Sequence, residues 1–257
     1  MSNKYIFGPV PSRRLGFSLG VDIVPTKTCT LNCIYCQVGK TTCKTIERKE
    51  YVTPEKILAE LKVMLKSGKE INYITLSGNG EPTLNSKLGE IIKEIKKITV
   101  LSVAVITNGT LLTDKNVREE LLSADLVMPS LDAATQETFE KIDRPYPSLK
   151  IEKIIEGIAD FSKIYKGKLW LEIMLVKGVN DNQDELNALK KAVEKIEPDK
   201  IQLNTPVRPT CEKGVEIVSQ KKLLEIKEFF GKKCEIIPEL KKKEQEGHIK
   251  HIRYEHS

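Results

Sequence analysis

Residues 19–36 read LGVDIVPTKTCTLNCIYC. The first six, 19–24, form a short apolar run of strand length. Pro25 ends it, and a polar loop follows with three cysteines, Cys29, Cys33 and Cys36, at C-x3-C-x2-C spacing. A strand that opens directly into a loop of reactive side chains is the way a parallel α/β barrel builds a site. The fold then depends on whether that strand-loop-helix unit recurs.

It does. Thr53-Pro54 is a helix start, with threonine at the cap and proline at the first helical position. Ile57, Leu58, Leu61, Met64 and Leu65 follow at helical spacing. Apolar runs at 71–77, 101–107, 126–131, 169–176 and 200–203 read as strands. Amphipathic segments at 88–98, 114–122, 135–142, 151–165, 182–193 and 219–230 read as helices. Six strand-helix units between residues 20 and 231 take about 35 residues each, the spacing of βαβ units. A closed eight-unit barrel takes about 250 residues. The pattern therefore predicts a partial (β/α)6 TIM-like barrel with parallel strands and outer helices. A doubly wound sheet is the alternative, because the same alternation supports it. One domain over 1–257 is expected, with its core at about 16–231 and a charged C-terminal extension at 238–257.

Forty per cent apolar and 30% charged residues exclude collagen-like, low-complexity and wholly disordered chains. The longest apolar run, 169–176, is interrupted by Glu172, so no membrane span is expected. Ser12-Arg13-Arg14 resembles a twin-arginine signal, but Asp22 and Lys27 interrupt any apolar region behind it, and a cytoplasmic protein is expected. The net charge of +6 is compatible with a nucleic-acid partner. No interleaved aromatic pattern marks a stacking platform, and a lysine-rich solvated surface explains the excess. All three histidines, His248, His251 and His256, lie in the last ten residues. The body of the chain thus has no Ser-His-Asp or Cys-His set and no histidine-rich catalytic zinc site.

Three thiolates within eight residues can ligate three irons of a [4Fe–4S] cluster, leaving the fourth iron open to another ligand. Structural zinc sites pair two such motifs, and no second close cysteine pair exists. Cys43, Cys211 and Cys234 are scattered, as free core cysteines or as ligands of an auxiliary cluster.

The three-cysteine motif, with aromatic Tyr35 before its last cysteine, resembles that of the radical S-adenosylmethionine (radical SAM) superfamily. The resemblance runs from about residue 16 to 206 and implies two cofactors, a [4Fe–4S] cluster on Cys29, Cys33 and Cys36, and S-adenosyl-L-methionine. In that family an electron from the cluster cleaves the bound cofactor to a 5′-deoxyadenosyl radical, which abstracts hydrogen from a substrate. An external electron donor of flavodoxin or ferredoxin type is implied. Tyr35 in the cysteine loop and residues at the ends of successive predicted strands would hold S-adenosylmethionine. Gly78, Asn79, Gly80 and Glu81 resemble the segment that binds the methionine amino group, and Ser130 and Asp132 resemble the segment at its carboxylate. Asn108 would reach the ribose or cap a turn, and Val179 and Asn180 lie in a segment similar to the adenine-contacting one. Arg13, Arg14 and Arg208 are candidates for an anionic substrate group, with Arg144 a fourth guanidinium near the expected mouth. The opening segment 8–16 and Gly80-Glu81-Pro82-Thr83 resemble a group of small archaeal and bacterial Fe–S oxidoreductases related to the tRNA-wyosine synthases. The substrate would be a small molecule, a peptide or a tRNA. Two other readings stand beside this one: an activase that makes a glycyl radical on a partner protein, and a non-catalytic Fe–S or zinc module.

Overall fold

The structure is a computed structural model that describes residues 5–237. The expected extension at 238–257 lies outside the described residues. The chain opens with an antiparallel hairpin, β1 (Ile6–Ser12) and β2 (Gly16–Val21). Two short paired segments, β3 (Thr28–Cys29) and β4 (Cys43–Lys44), then bracket the cysteine loop. Regular alternation follows: α1 (Pro54–Leu65), β5 (Tyr73–Leu76), α2 (Leu88–Ile98), β6 (Ser102–Thr107), α3 (Lys115–Leu121) and β7 (Leu126–Pro129). It continues with α4 (Gln136–Ile142), α5 (Ile151–Ile164), β8 (Lys168–Met174), α6 (Gln183–Ile196), β9 (Lys200–Asn204), α7 (Gln220–Phe230) and β10 (Cys234–Ile236).

The eight-stranded sheet runs β1-β2-β5-β6-β7-β8-β9-β10, parallel at every junction after the hairpin. Strands therefore follow chain order without reversal. Right-handed crossovers in one unchanging direction put all the helices on one face. A doubly wound sheet needs a reversal of strand order, so that alternative is excluded. β1 and β10 are the two edges and do not pair with each other, so the barrel is open.

The two faces of the sheet are packed differently. Outward residues such as Leu19, Ile74, Val103, Val127, Leu171 and Leu203 join the helices in one large apolar core. A second, smaller cluster of Leu15, Ala104, Leu126 and Met128 fills part of the inner face, flanked by Tyr73, Ile106 and Trp170. The remaining inward positions are polar. Ser18 and Thr75 share a hydrogen bond at 2.6 Å, and Glu172 and Asn204 share another at 2.8 Å. Alternation along each strand assigns these faces, and the polar inner face leaves room for a site.

The expected strands correspond to β2 and β5 through β9, and all six anticipated inter-strand helices are present. Two strands depart from expectation. β1 carries Pro9 and Pro11, which have no N–H to give a ladder, so its sequence does not read as strand. It is tolerated as an edge with an irregular register between Phe7 and Val10. Pairing with β1 also moves β2 three residues ahead of the expected 19–24. β10 adds a parallel edge past residue 231, where the core was expected to end.

Gly20 locks the hairpin. A Cβ there would lie 1.9 Å from the Phe7 ring, which occupies that space. Gly20→Ala is expected to destabilise the protein by about 1–3 kcal/mol through overpacking, read as a lower urea midpoint at unchanged m-value.

Candidate active site

The carboxyl ends of β2, β5, β6 and β7 and the inner face of β8 and β9 enclose a cavity of about 440 Å3. Most of the residues singled out from sequence line it: Cys29, Cys33, Tyr35 and Cys36 from the cysteine loop, Gly78 to Glu81 after β5, Asn108 after β6 and Ser130 after β7. Arg13, Arg14 and Arg208 line it as well. Asp132 lines a smaller neighbouring cavity of about 50 Å3. Val179 and Asn180 line neither.

The cysteine loop is fixed by backbone hydrogen bonds on both sides. Asn32 and Ile34 donate to the carbonyls of Asp143 and Ile142 at 2.9 Å each, and Tyr146 donates to Thr30 at 2.9 Å. Cys211 donates its backbone N–H to the Cys36 carbonyl at 3.1 Å, and its thiol sits 3.2 Å from the Cys33 and Ile34 carbonyls. The three loop cysteines are half-buried free thiols. Burial, with Glu81 nearby, pushes the Cys29 thiol up to about 12. Burial and the adjoining Asp143 carboxyl hold the Cys33 thiol well above its ordinary value. Three thiolates beside buried carboxylates are unfavourable unless a cationic centre offsets them, and metal binding would release their protons. Among the described residues no three His, Cys, Asp or Glu side chains converge on a point that could hold one metal ion. Three thiols at this spacing on one loop fit an iron–sulfur cluster with three protein ligands, each cysteine reaching a different iron.

Glu81 lines the glycine-bearing wall of the cavity and is 3% exposed. Its carboxylate accepts from the Thr83 N–H at 3.0 Å and the Thr83 hydroxyl at 2.7 Å. It also accepts from the Thr107 hydroxyl at 2.6 Å and the Asn108 N–H at 2.8 Å. Burial raises its pKa, and these bonds oppose the shift. The carboxylate is thus committed to the protein, and an ammonium group would have to be met by the backbone carbonyls beside it. Asn79 is committed too: its N–H and its side-chain amide both donate to Asp22, at 2.9 and 3.0 Å. The glycines are there for close approach. A Cβ on Gly78, at φ +112°, would lie 1.7 Å from Asp22 Oδ1, and one on Gly80 would lie 2.5 Å from the Thr28 carbonyl.

Asn108 turns toward the cysteine loop rather than toward open space. Its amide nitrogen donates to Thr30 Oγ1 at 2.8 Å and lies 3.4 Å from Cys29 Sγ, while its oxygen accepts from Thr110. Tyr35 donates its hydroxyl to the buried Asp132, whose other oxygen accepts from the Met174 N–H at 2.7 Å. Burial and the neighbouring Asp143 raise the Asp132 pKa. Asn180, fully buried, donates to the Asp132 and Met174 carbonyls and accepts from the Val176 N–H. The Asn180 side chain staples the turn after β8. Val179 packs partly against the outer core. Ser130 faces the cavity with its hydroxyl making no hydrogen bond among the described residues.

The floor of the cavity comes from an unexpected direction. The turn between β1 and β2 folds into the barrel, so Arg13 and Arg14 arrive from the amino end of β2 rather than from a strand's carboxyl end. Arg14 pairs with Glu172 of β8, and Asn204 of β9 donates to the other Glu172 oxygen at 2.8 Å. Arg13 donates to Asn204 Oδ1 at 3.1 Å. Glu172 and Asn204 were missed as site residues, although a single carboxylate inside the apolar run 169–176 was a visible signal. Arg144 is a surface residue paired with Glu212 at 2.6 Å. Cys43 is exposed on β4 and Cys234 is buried on β10, while Cys211 sits against the cysteine loop. The three do not assemble into an auxiliary site.

The sequence profile of the radical SAM superfamily matches residues 23–189. The chain belongs to that superfamily. Among its relatives are UPF0026 proteins: one from Helicobacter pylori (strain J99) is 40% identical over 237 residues, 91% of this chain and 76% of that protein. Another, from Methanocaldococcus jannaschii, is 37% identical over 212 residues, 82% of this chain and 66% of that protein. A Brachyspira hyodysenteriae protein named GTPase Obg is 43% identical over 236 residues, 92% of this chain, but this chain spans only 35% of it. Gly39-Lys40-Thr41 lacks the glycine five positions before Gly39 that a phosphate-binding P-loop needs, since Ile34 stands there. Among solved structures, a radical SAM methyltransferase from Sphaerobacter thermophilus superposes with a TM-score of 0.64 at 16% identity, covering 85% of this chain and 65% of that one. SuiB of Streptococcus suis bound to S-adenosylmethionine gives 0.59 at 14%, covering 82% and 46%. This likeness is one of fold, a partial barrel. No helix among the described residues is long and apolar enough to cross a membrane.

Glu172→Ala leaves the Arg14 guanidinium without its carboxylate in a largely buried position. It is expected to cost about 3–5 kcal/mol, whereas the double change Arg14→Met with Glu172→Met restores most of the loss. Chemical unfolding of the single and the double variant checks this.

Proposed function

We propose that the protein holds a [4Fe–4S] cluster on Cys29, Cys33 and Cys36 and binds S-adenosylmethionine against residues 78–81, Asn108 and Ser130. The observation that carries this reading is the convergence of a three-thiol set and a glycine-lined turn on one cavity. When bound and reduced, the pair supplies a 5′-deoxyadenosyl radical that takes a hydrogen atom from the substrate.

Each wall of the cavity has a distinct task in this reading. The backbone carbonyls of residues 78–80 accept from the methionine ammonium, and the loop can come that close because Gly78 and Gly80 carry no Cβ. The Ser130 hydroxyl donates to the methionine carboxylate. Glu81 and Asn108 act as positioning residues: Glu81 sets the Asn108 backbone, and Asn108 donates toward Cys29 and Thr30. Hydrogen bonds to a cysteine sulfur stabilise its anionic form and tune the cluster. Tyr35 and Asp132 tie the cysteine loop to the end of β8. Radical SAM enzymes need an external reductant, and a flavodoxin or ferredoxin is proposed here. The substrate lies between the cofactor and the arginine floor, shielded from water by the hairpin turn.

Anaerobic reconstitution with iron and sulfide is expected to give about four irons per chain. Dithionite and S-adenosylmethionine should then yield 5′-deoxyadenosine, measured by chromatography. The Cys29/Cys33/Cys36→Ala variant should bind no cluster and yield none. A fully loaded wild-type cluster whose electron-resonance spectrum is unmoved by S-adenosylmethionine would overturn the reading.

A further inference from the structure

Three arginines line the cavity. Arg14 has Glu172, and that carboxylate is shared with the Asn204 amide. Arg13 is directed to Asn204. Arg208, on the loop after β9, also lines the cavity and is partly buried. Its hydrogen-bond partner is neutral: Nη1 donates to Gln37 Oε1 at 3.1 Å. Among the described residues no carboxylate lies within ion-pairing distance of it. A guanidinium carries five N–H donors in a planar fork, so most of the Arg208 donors are left for the cavity. Burial and the positive charge of Arg14 both disfavour its protonated form.

A cation held beside another cation, out of bulk water and without an acid, is costly unless an anion completes the site. Glu81 cannot serve, because four donors from its own wall already hold it. The fork geometry suits two oxygens of one oxyanion. We infer that Arg208, positioned by Gln37 and backed by Arg14, binds an oxyanion of the substrate, a carboxylate or a phosphate. This rests on the cofactor assignment above, which gives residues 78–81, Asn108 and Ser130 to S-adenosylmethionine and leaves Arg208 for the substrate. It narrows the substrate to molecules that carry a negatively charged group.

The test is a binding measurement on the reconstituted protein loaded with S-adenosylmethionine, so it does not depend on turnover. Inorganic phosphate is titrated and followed by phosphorus NMR line broadening, and acetate is titrated as a competitor to tell which oxyanion the site prefers. Saturable phosphate or acetate binding is expected. It should weaken at least tenfold in Arg208→Ala and less in Arg208→Lys, which keeps the charge but not the fork. Gln37→Ala should weaken it by a smaller factor. S-adenosylmethionine affinity and iron content should stay within about twofold of wild type in all three. Unchanged anion binding in Arg208→Ala overturns the proposal. So does a loss of S-adenosylmethionine affinity with anion binding intact, since the guanidinium would then serve the methionine carboxylate. Failure of the cofactor assignment is seen separately, as wild-type protein that shows no affinity for S-adenosylmethionine.

Discussion

One buried carboxylate organises the wall on which the rest of the site depends. Glu81 receives four hydrogen bonds from Thr83, Thr107 and Asn108, and so joins the turn after β5 to the turn after β6. Asn108 passes that constraint to Cys29 and Thr30 of the cysteine loop. The Glu81 N–H donates to the Thr28 carbonyl at 3.0 Å and closes the circuit. A carboxylate taken out of water is costly unless it is hydrogen-bonded. The four bonds here constrain the three loops to one mutual arrangement. The position of the thiols follows from that, not from the cysteines themselves.

The inner face of the barrel shows the same economy at its other end. An all-apolar lumen would pack shut, as it does around Leu15, Ala104, Leu126 and Met128. Above that plug the lining changes to Ser18, Thr75, Glu172 and Asn204, and the hairpin turn supplies the matching arginines. The polar layer keeps a cavity open in a sheet whose outer face is densely covered with apolar side chains.

Much of this was legible in the sequence because it is written in local signals. Strand and helix positions follow from apolar periodicity and from caps such as Thr53-Pro54, and the cysteine spacing and the glycines at 78 and 80 mark the cofactor side. What escaped depends on tertiary context. β1 reads as a loop because of Pro9 and Pro11, and its strand character comes from being an edge. The side chains of Glu81, Asn79 and Asn180 make hydrogen bonds to other loops that no local motif announces. Glu172 and Asn204 join Arg13 and Arg14 across more than 150 residues of chain, a relation no local pattern reveals.

The inserted hairpin turn also has a consequence for assembly. Arg14 meets Glu172 at a sequence separation of 158, and Arg13 meets Asn204 at 191. Contacts so distant along the chain carry the largest loop-closure entropy and form late. Most of the hydrogen bonds that hold the cysteine loop and Glu81 are made between residues 22 and 146, which leave the ribosome first. The arginine side of the cavity therefore closes last, after β8 and β9 have docked. Until then the cysteine loop also lacks its contacts to Cys211 and is more open to solvent than in the finished fold.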